Sequence, residues 1–392
     1  LRYKKPAVPS RREPEHYTCQ AISRACDVLE AFREPGEQLR LKEVSERAKL
    51  SVSTAFRILS TLEQRGLVSR AADRLYTLHI SRPQRRRFKF GFAGQSQEFA
   101  FSRAIAESIE AAAASANISL LVADNHYSAK TAVRTAERFV RERVDLVIEF
   151  QTDEHIAPVV SAKLLEANIP IVAVEIPHPG ATYFGANNYS AGEIGGKFLG
   201  RWAREHWAAA VDEVLLLELP MAGPLPRSRL VGTVDGLRKS LPMLSESQVV
   251  WIDGRGQFGP SLEAVRKHLR HSRSRRVLVG AINDPSALGA LRAFEEAGRA
   301  EGCVVMGQNA SLEARVELRQ PSTQFVGSVA YFPERYGAGL IPLCIEILER
   351  RRVPPAVFVE HQLITRENVD RLYPNDALIG AGDLEVLLLR SR

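Results

Sequence analysis

Ser51, Ser53, Thr54 and Arg57 stand close together in the chain, and Arg70 and Arg74 follow shortly after. Short hydroxyls let a helix approach phosphates, and helix N-terminal amides favour anions. An arginine pairs with a phosphate or a guanine edge. The set suits the groove of a nucleic acid. In the rest of the chain Glu98, Glu175 and Arg229 have the chemistry for acid–base work, but no nucleophile is aligned with them. No G-x-S-x-G, Walker A or H-E-x-x-H pattern is present, so no enzyme activity is expected. Of nine histidines, only His178 is near Glu175 in sequence. It lies between Pro177 and Pro179 and reads as a solvated loop side chain. Cys19, Cys26, Cys303 and Cys344 show no C-x-x-C or Cys/His spacing, so neither a zinc site nor a disulfide framework is expected. No metal and no cofactor is implied.

These residues sit on an unevenly charged chain of 392 residues, a length that suggests two or three domains. Residues 1–90 hold 20 Lys and Arg against 10 Asp and Glu, while the remainder holds 33 against 36. A net +10 segment on a net −3 body gives the total of +7 and points to an anionic partner for the segment alone. A solvated basic tail would have the same composition. Apolar runs are short and the first residues lack an apolar stretch, so neither a transmembrane helix nor a secretory signal is expected. A cytoplasmic protein with reduced thiols follows.

The elements that position the first residue set are legible. Residues 1–16 read as a disordered basic arm. Ile22, Ala25, Cys26, Leu29 and Phe32 mark one helical face, and Glu34-Pro35-Gly36 breaks it. Leu41–Ala48 reads as a short helix, and Ser51 as the N-cap of the next. That next helix turns Ala55, Ile58, Leu59 and Leu62 inward and ends at Gly66. Leu67–Arg70 and Leu75–Leu78 read as a hairpin, with Arg70 and Arg74 where a wing would track phosphates. Together these predict a small α+β winged helix-turn-helix over residues 17–80. A three-helix domain with a solvated face, or a protein-binding winged helix, would share the pattern. A basic linker over 81–87 carries Arg82, Arg85, Arg86 and Arg87.

From Phe88 to the end, nine β-rich runs alternate with helical patterns: Phe88–Ala93, Ser119–Asp124, Asp145–Phe150, Pro170–Glu175, Glu213–Glu218, Val249–Asp253, Arg276–Ala281, Cys303–Gly307 and Gln324–Val329. Alternation implies parallel sheets, and this length suits two α/β lobes over residues 88–392.

Two resemblances sharpen these expectations. Ala21–Leu78, with Leu50-Ser-Val-Ser-Thr-Ala-Phe-Arg-Ile-Leu and Thr61-Leu-Glu-Gln-Arg-Gly-Leu-Val, resembles the N-terminal domain of IclR-type bacterial transcription regulators. The resemblance puts Ser53, Thr54 and Arg57 on recognition-helix positions, with Ser51 where proline is usual. The body is similar to type I periplasmic-binding-protein folds, shared by LacI-family repressors and ribose-type sugar-binding proteins. It carries Ala186-Asn-Asn-Tyr-Ser-Ala-Gly-Glu-Ile-Gly-Gly-Lys, Arg227-Ser-Arg-Leu-Val-Gly-Thr-Val-Asp-Gly-Leu, Ala281-Ile-Asn-Asp-Pro-Ser-Ala-Leu-Gly-Ala-Leu and Gly307-Gln-Asn-Ala.

That second resemblance implies ligand contacts from Gln97, Glu98, Phe99 and Phe101 after the first strand, and from Glu175. It further implies Arg229, Phe258, Asn283, Asn309 in place of an aspartate, and Tyr331 in place of a glutamine. Such a set favours a neutral polyhydroxylated ligand: hydroxyls pair with Glu, Asn and Arg, and aromatic faces cover a sugar's C–H side. A buried Arg229 needs a partner, which Glu175 could supply across the cleft. Ile176 stands where ribose-type sites place an arginine, so a purine or amino acid stays open as effector. The implied protein is a ligand-responsive, homodimeric regulator of double-stranded operator DNA, with no membrane partner. A soluble sugar-binding module whose N-terminal domain binds protein is the alternative.

Overall fold

A computed structural model describes residues 19–34, 36–71, 73–79 and 87–378, so the proposed arm, linker residues 81–86 and the last residues lie outside the described part. The chain divides into two units, Leu1–Arg87 and Phe88–Arg392.

In the first unit, α1 (Gln20–Glu30) is followed by β1 (Gln38–Arg40), α2 (Leu41–Arg47), α3 (Val52–Gln64), β2 (Val68–Arg70) and β3 (Leu75–Leu78). The strands form an antiparallel sheet in the order β1-β3-β2. Val28, Phe32, Leu39, Val44, Leu59, Leu62, Val68 and Tyr76 make its core. The winged helix-turn-helix arrangement is present, with β1 as an unforeseen third strand; three residues are too few to show alternation. The α1 face differs from expectation: Ile22 is 65% exposed and Cys26 is exposed. Burial on this segment is confined to its C-terminal end, at Val28, Ala31 and Phe32. Ser51 caps α3, its Oγ accepting from the Thr54 amide at 3.2 Å. Gly66 leaves the helix with φ +71°, a conformation glycine adopts at no steric cost.

The second unit is two α/β lobes. Lobe 1 begins with β4 (Lys89–Gly94), α4 (Ala100–Ser115), β5 (Ser119–Asp124), α5 (Ala129–Arg141), β6 (Leu146–Glu149), α6 (Ala157–Glu166), β7 (Ile171–Val174) and β8 (Thr182–Gly185). The chain then crosses to lobe 2: α7 (Asn188–Trp207), β9 (Glu213–Glu218), α8 (Pro224–Ser240), β10 (Val249–Asp253), α9 (Phe258–Leu269), β11 (Val277–Ala281), α10 (Asp284–Glu296), β12 (Cys303–Asn309), α11 (Leu312–Leu318) and β13 (Phe325–Ala330). It returns to lobe 1 for α12 (Tyr336–Leu348) and β14 (Ala356–Phe358), then to lobe 2 for β15 (Gln362–Ile364) and α13 (Val369–Leu372). The sheets run β14-β8-β7-β6-β4-β5 and β10-β9-β11-β12-β13-β15, parallel except for β15. All nine expected runs are strands. The missed ones, β8, β14 and β15, are three or four residues long or follow a crossover.

Three crossovers therefore join the lobes, and they are tied to one another. The Asn187 amide donates to His361 Nε2 at 3.0 Å, and the Val359 amide to the Gly185 carbonyl at 2.9 Å. The His361 ring lies edge-on to Tyr331 at 4.9 Å. Burial, with Arg229 nearby, pushes the His361 pKa down to about 4, which keeps Nε2 an acceptor at neutral pH. In lobe 2, α7 and α8 pack almost backbone to backbone. A Cβ at Gly192 would sit 1.7 Å from the Arg229 carbonyl oxygen, and one at Gly232 2.2 Å from that of Tyr189. The glycines of the two motifs thus let the helices approach closely enough to set Arg229 beside Asn188.

Candidate functional site

Between the lobes lies a cavity of about 400 Å³, where the C-terminal ends of the parallel strands present their loops. Glu98, Phe99, Phe101, Glu175, Arg229, Phe258, Asn283 and Asn309 all line it. These residues are scattered along the chain from position 98 to position 309, and the fold brings them together. Gln97 is not part of the lining, and neither is Tyr331. The latter is buried behind the wall, with the Arg229 guanidinium 4.9 Å over its ring and its hydroxyl donating to Gln308 Oε1 at 2.9 Å. Tyr331 supports Arg229 and does not face the cavity.

The deepest polar group is the Glu175–Arg229 pair. Glu175 follows β7 with φ +62°, a left-handed conformation unusual for a non-glycine residue. This carboxylate accepts from the Tyr336 hydroxyl at 2.5 Å and the Ala186 amide at 3.2 Å, so it grips both the first and second crossovers. Its Oε2 lies 3.8 Å from Arg229 Nη2, joining lobe 1 to lobe 2 as the sequence suggested. Burial raises the Glu175 pKa, and Arg229 and the Tyr336 hydroxyl oppose that rise. Arg229 donates to Asn188 Oδ1 from Nε at 3.1 Å and Nη2 at 2.6 Å, and from Nη1 to the Ile282 carbonyl. A buried ion pair needs such additional partners to offset desolvation.

The remaining walls follow from local rules. Asn283 caps α10, accepting from the Ser286 amide at 3.0 Å and donating to the Gly256 carbonyl at 2.8 Å. Each of its polar atoms keeps one further hydrogen-bonding capacity for a ligand. Asn309 ends β12 with φ +98°. Phe101 on α4 makes edge contacts with Phe150, Tyr331 and Tyr336 at 6.1–6.4 Å, so it is part core and part wall. Phe99 meets Tyr127 edge-on at 5.3 Å. Glu98 is an exposed rim residue. The amide expected at Gln97 is supplied two residues earlier: Gln95 lines the cavity, and Gln97 is exposed. Gln95 is locked between Thr152 Oγ1 at 2.5 Å and Ser102 Oγ at 2.6 Å. Tyr127, Phe150, Thr152, Arg103, Ser311 and Glu313 also line the cavity and were not foreseen. The available signal for most was position, since they follow strands on the loop-bearing side. His178 is not solvated: it is buried, with Nδ1 3.0 Å from the Ile176 carbonyl, and burial lowers its pKa to about 4. Among the described residues no group of three His, Cys, Asp or Glu is disposed to hold a metal.

In the first unit α3 presents Ser53 and Arg57 to solvent, with Thr54 half-buried. The Ser51 hydroxyl is spent on the cap and on contacts to Thr54 Oγ1 at 2.8 Å and Ser53 Oγ at 3.1 Å, so it shapes the helix start. Arg70 and Arg74 are exposed on the hairpin, Arg70 lying 5.6 Å over the Tyr76 ring. Val52 and Phe56, 50% and 43% exposed, add apolar groups to α3 that polarity alone does not single out.

Comparison with known proteins places both units. Residues 90–351 match the family described as periplasmic binding protein domain, and this covers well over half of the chain, which therefore belongs to that family. Residues 21–72 match the IclR helix-turn-helix domain. Among solved structures, a periplasmic solute-binding protein from Actinobacillus succinogenes with bound D-allose is 17% identical with TM-score 0.63, covering 72% of this chain and 99% of that one. A Mycobacterium smegmatis protein in complex with β-D-fucofuranose is 20% identical with TM-score 0.62, covering 76% and 98%. A galactofuranose-binding protein is 16% identical with TM-score 0.64, covering 74% and 99%. At these identities the likeness shows the fold. No curated protein matches the chain. Among the described residues no helix is long and apolar enough to cross a membrane.

Proposed function

We propose that this protein is a ligand-responsive transcription regulator that binds double-stranded operator DNA through α3 and its wing and senses a sugar or related polyol in the interlobe cavity. The carrying observation is the joining of a helix-turn-helix unit to a cavity in which aromatic faces surround the Glu175, Arg229, Asn283 and Asn309 polar groups. Aromatic rings cover the C–H faces of a sugar, while this polar set pairs with hydroxyls. Neighbouring folds that hold D-allose or a furanose support the same chemistry. The site has binding groups on both lobes, which supports a sensor. A regulator of this kind works in the cytoplasm.

The mechanism follows from the geometry. An effector bridging Glu175 on lobe 1 and Asn283 on lobe 2 favours the closed lobes through a hinge at the three crossovers. In a homodimer, closure alters the spacing of two recognition helices, and half-sites about one helical turn apart reward one spacing. A coupling of about 1–3 kcal/mol suffices. Fluorescence anisotropy of the protein on its own upstream DNA, at two salt concentrations and with or without a sugar pool, tests this. Salt-sensitive binding that shifts with the pool is expected. Binding that ignores sugars but shifts with purines or amino acids would move the effector class. No DNA binding would favour a sugar-binding module with a protein-interacting N-terminal unit.

A further inference from the structure

The lobes meet at a second place, apart from the crossovers and the Glu175–Arg229 pair. Glu154, in the loop between β6 and α6 of lobe 1, donates its amide to the Met221 carbonyl of lobe 2 at 2.9 Å. Its carboxylate lies against Gly223, the residue before α8: a Cβ there would meet Oε2 at 1.7 Å and Cδ at 2.1 Å. Gly223 has φ +85°, so both backbone and space require glycine. The seat is electrostatically apt. The N-terminus of α8 carries no acidic residue in its first turn, and a carboxylate there is favoured by the helix dipole. Lobe 1 supplies the missing charge. Close by, the Tyr127 hydroxyl of lobe 1 faces the Arg255 carbonyl of lobe 2 at 3.4 Å. The adjoining Gln151 side chain is buried, with no hydrogen-bond partner for its amide among the described residues. Glu154 does not line the cavity.

We propose that Glu154, seated on Gly223 and the start of α8, is an interlobe latch that sets the fraction of closed cleft, and hence effector affinity, without touching effector. The proposal rests on the sensor reading only in naming the cleft's occupant as an effector. Latch and hinge act together: the crossovers allow the lobes to rotate, and the latch biases where they rest. Any ligand that needs the closed form binds more weakly in proportion to the closed fraction lost.

The test is an interlobe distance distribution by double electron–electron resonance on the full chain. Spin labels go on Val159→Cys of α6 in lobe 1 and Met243→Cys in lobe 2, both exposed, in a background with Cys19→Ser and Cys26→Ser. Cys303 and Cys344 are buried. The unaltered latch is expected to show a closed population without added sugar. Glu154→Ala should lower the closed-to-open ratio about two- to fivefold, the loss of one carboxylate at a helix N-terminus. Glu154→Gln should fall between the two, and Gly223→Ala should open the cleft at least as far as Glu154→Ala. Circular dichroism on each variant separates opening from unfolding. A fully open distribution with the native latch, or a Glu154→Ala distribution superimposable on it, overturns the proposal. The labels report the lobes whether or not any sugar binds, so failure of the latch and failure of the sensor reading are told apart.

Discussion

Helix α3 with its hairpin and the interlobe cavity both present polar groups, but they are built in opposite ways. The set proposed to face DNA occupies residues 51–74, on one helix and one hairpin, and its geometry comes from local caps and turns. The cavity draws on residues from Gln95 to Glu313, on two sheets and a hinge. Local construction leaves exposed side chains free to pair with a partner. Long-range construction buries a charged pair, raises the Glu175 pKa, and makes binding depend on how two bodies meet. The first region resembles a fixed tool and the second a switch.

That contrast can be broken by substitution. The largest effect is expected at Arg229→Ala. It leaves Glu175 buried without its cation, and removing one partner of a buried pair typically costs about 3–5 kcal/mol. Thermal denaturation should show a clear drop in Tm of the second unit, and sugar binding should vanish. DNA affinity measured by anisotropy at a temperature where the protein remains folded should persist. Next is Arg57→Ala, where losing a contact to a guanine edge or a phosphate should weaken DNA binding by about 1–3 kcal/mol, with no change in sugar affinity by calorimetry. If this variant lost sugar binding as well while still folded, the division of labour would be wrong.

Asn283→Ala sharpens the comparison, because one residue here is both helix cap and cavity wall. Loss of the cap should cost about 1 kcal/mol of stability. Sugar response should be abolished with basal DNA binding spared; a Tm shift with normal sugar response would confine Asn283 to capping.

The last effect concerns pH. Glu149 is fully buried in lobe 1, accepts one hydrogen bond from Asn125 at 2.9 Å, and has its pKa raised to about 8 by desolvation. The folded protein therefore holds a proton there that the unfolded chain releases above the ordinary glutamate value of 4.5. Stability from this group falls as pH rises between those two values. Glu149→Gln should remove that slope: the variant's Tm advantage over the native protein should grow from pH 5 to pH 8. An advantage independent of pH would show that Glu149 does not titrate in this window.

Much of the molecule is legible in the order of its residues. Ser51 as a cap, Gly66 as a helix end and the hairpin from Val68 to Leu78 rest on rules spanning a few residues. The nine expected strands of the second unit declare themselves through apolar runs bounded by turns. β1, β14 and β15, each three residues long, lack the length for any periodicity. Motif order put Glu175, Arg229 and Asn283 on the wall of one cavity, where the fold has them. It misjudged Gln97 and Tyr331, which lie in the loops just after β4 and β13, because the path of a loop, which no periodicity records, decides whether a side chain reaches the cavity.

The sequence by itself determined the two-unit division, the alternation of strands and helices, and the residue types available to each partner, since these depend on composition and short-range periodicity. Tertiary structure decided which of those residues meet. Only the close crossing of α7 and α8 puts Arg229 beside Asn188 and within 3.8 Å of Glu175. Only the docking of the lobes brings Glu154 onto Gly223. Contacts between segments far apart in the chain depend on how whole elements pack, and no local pattern records that.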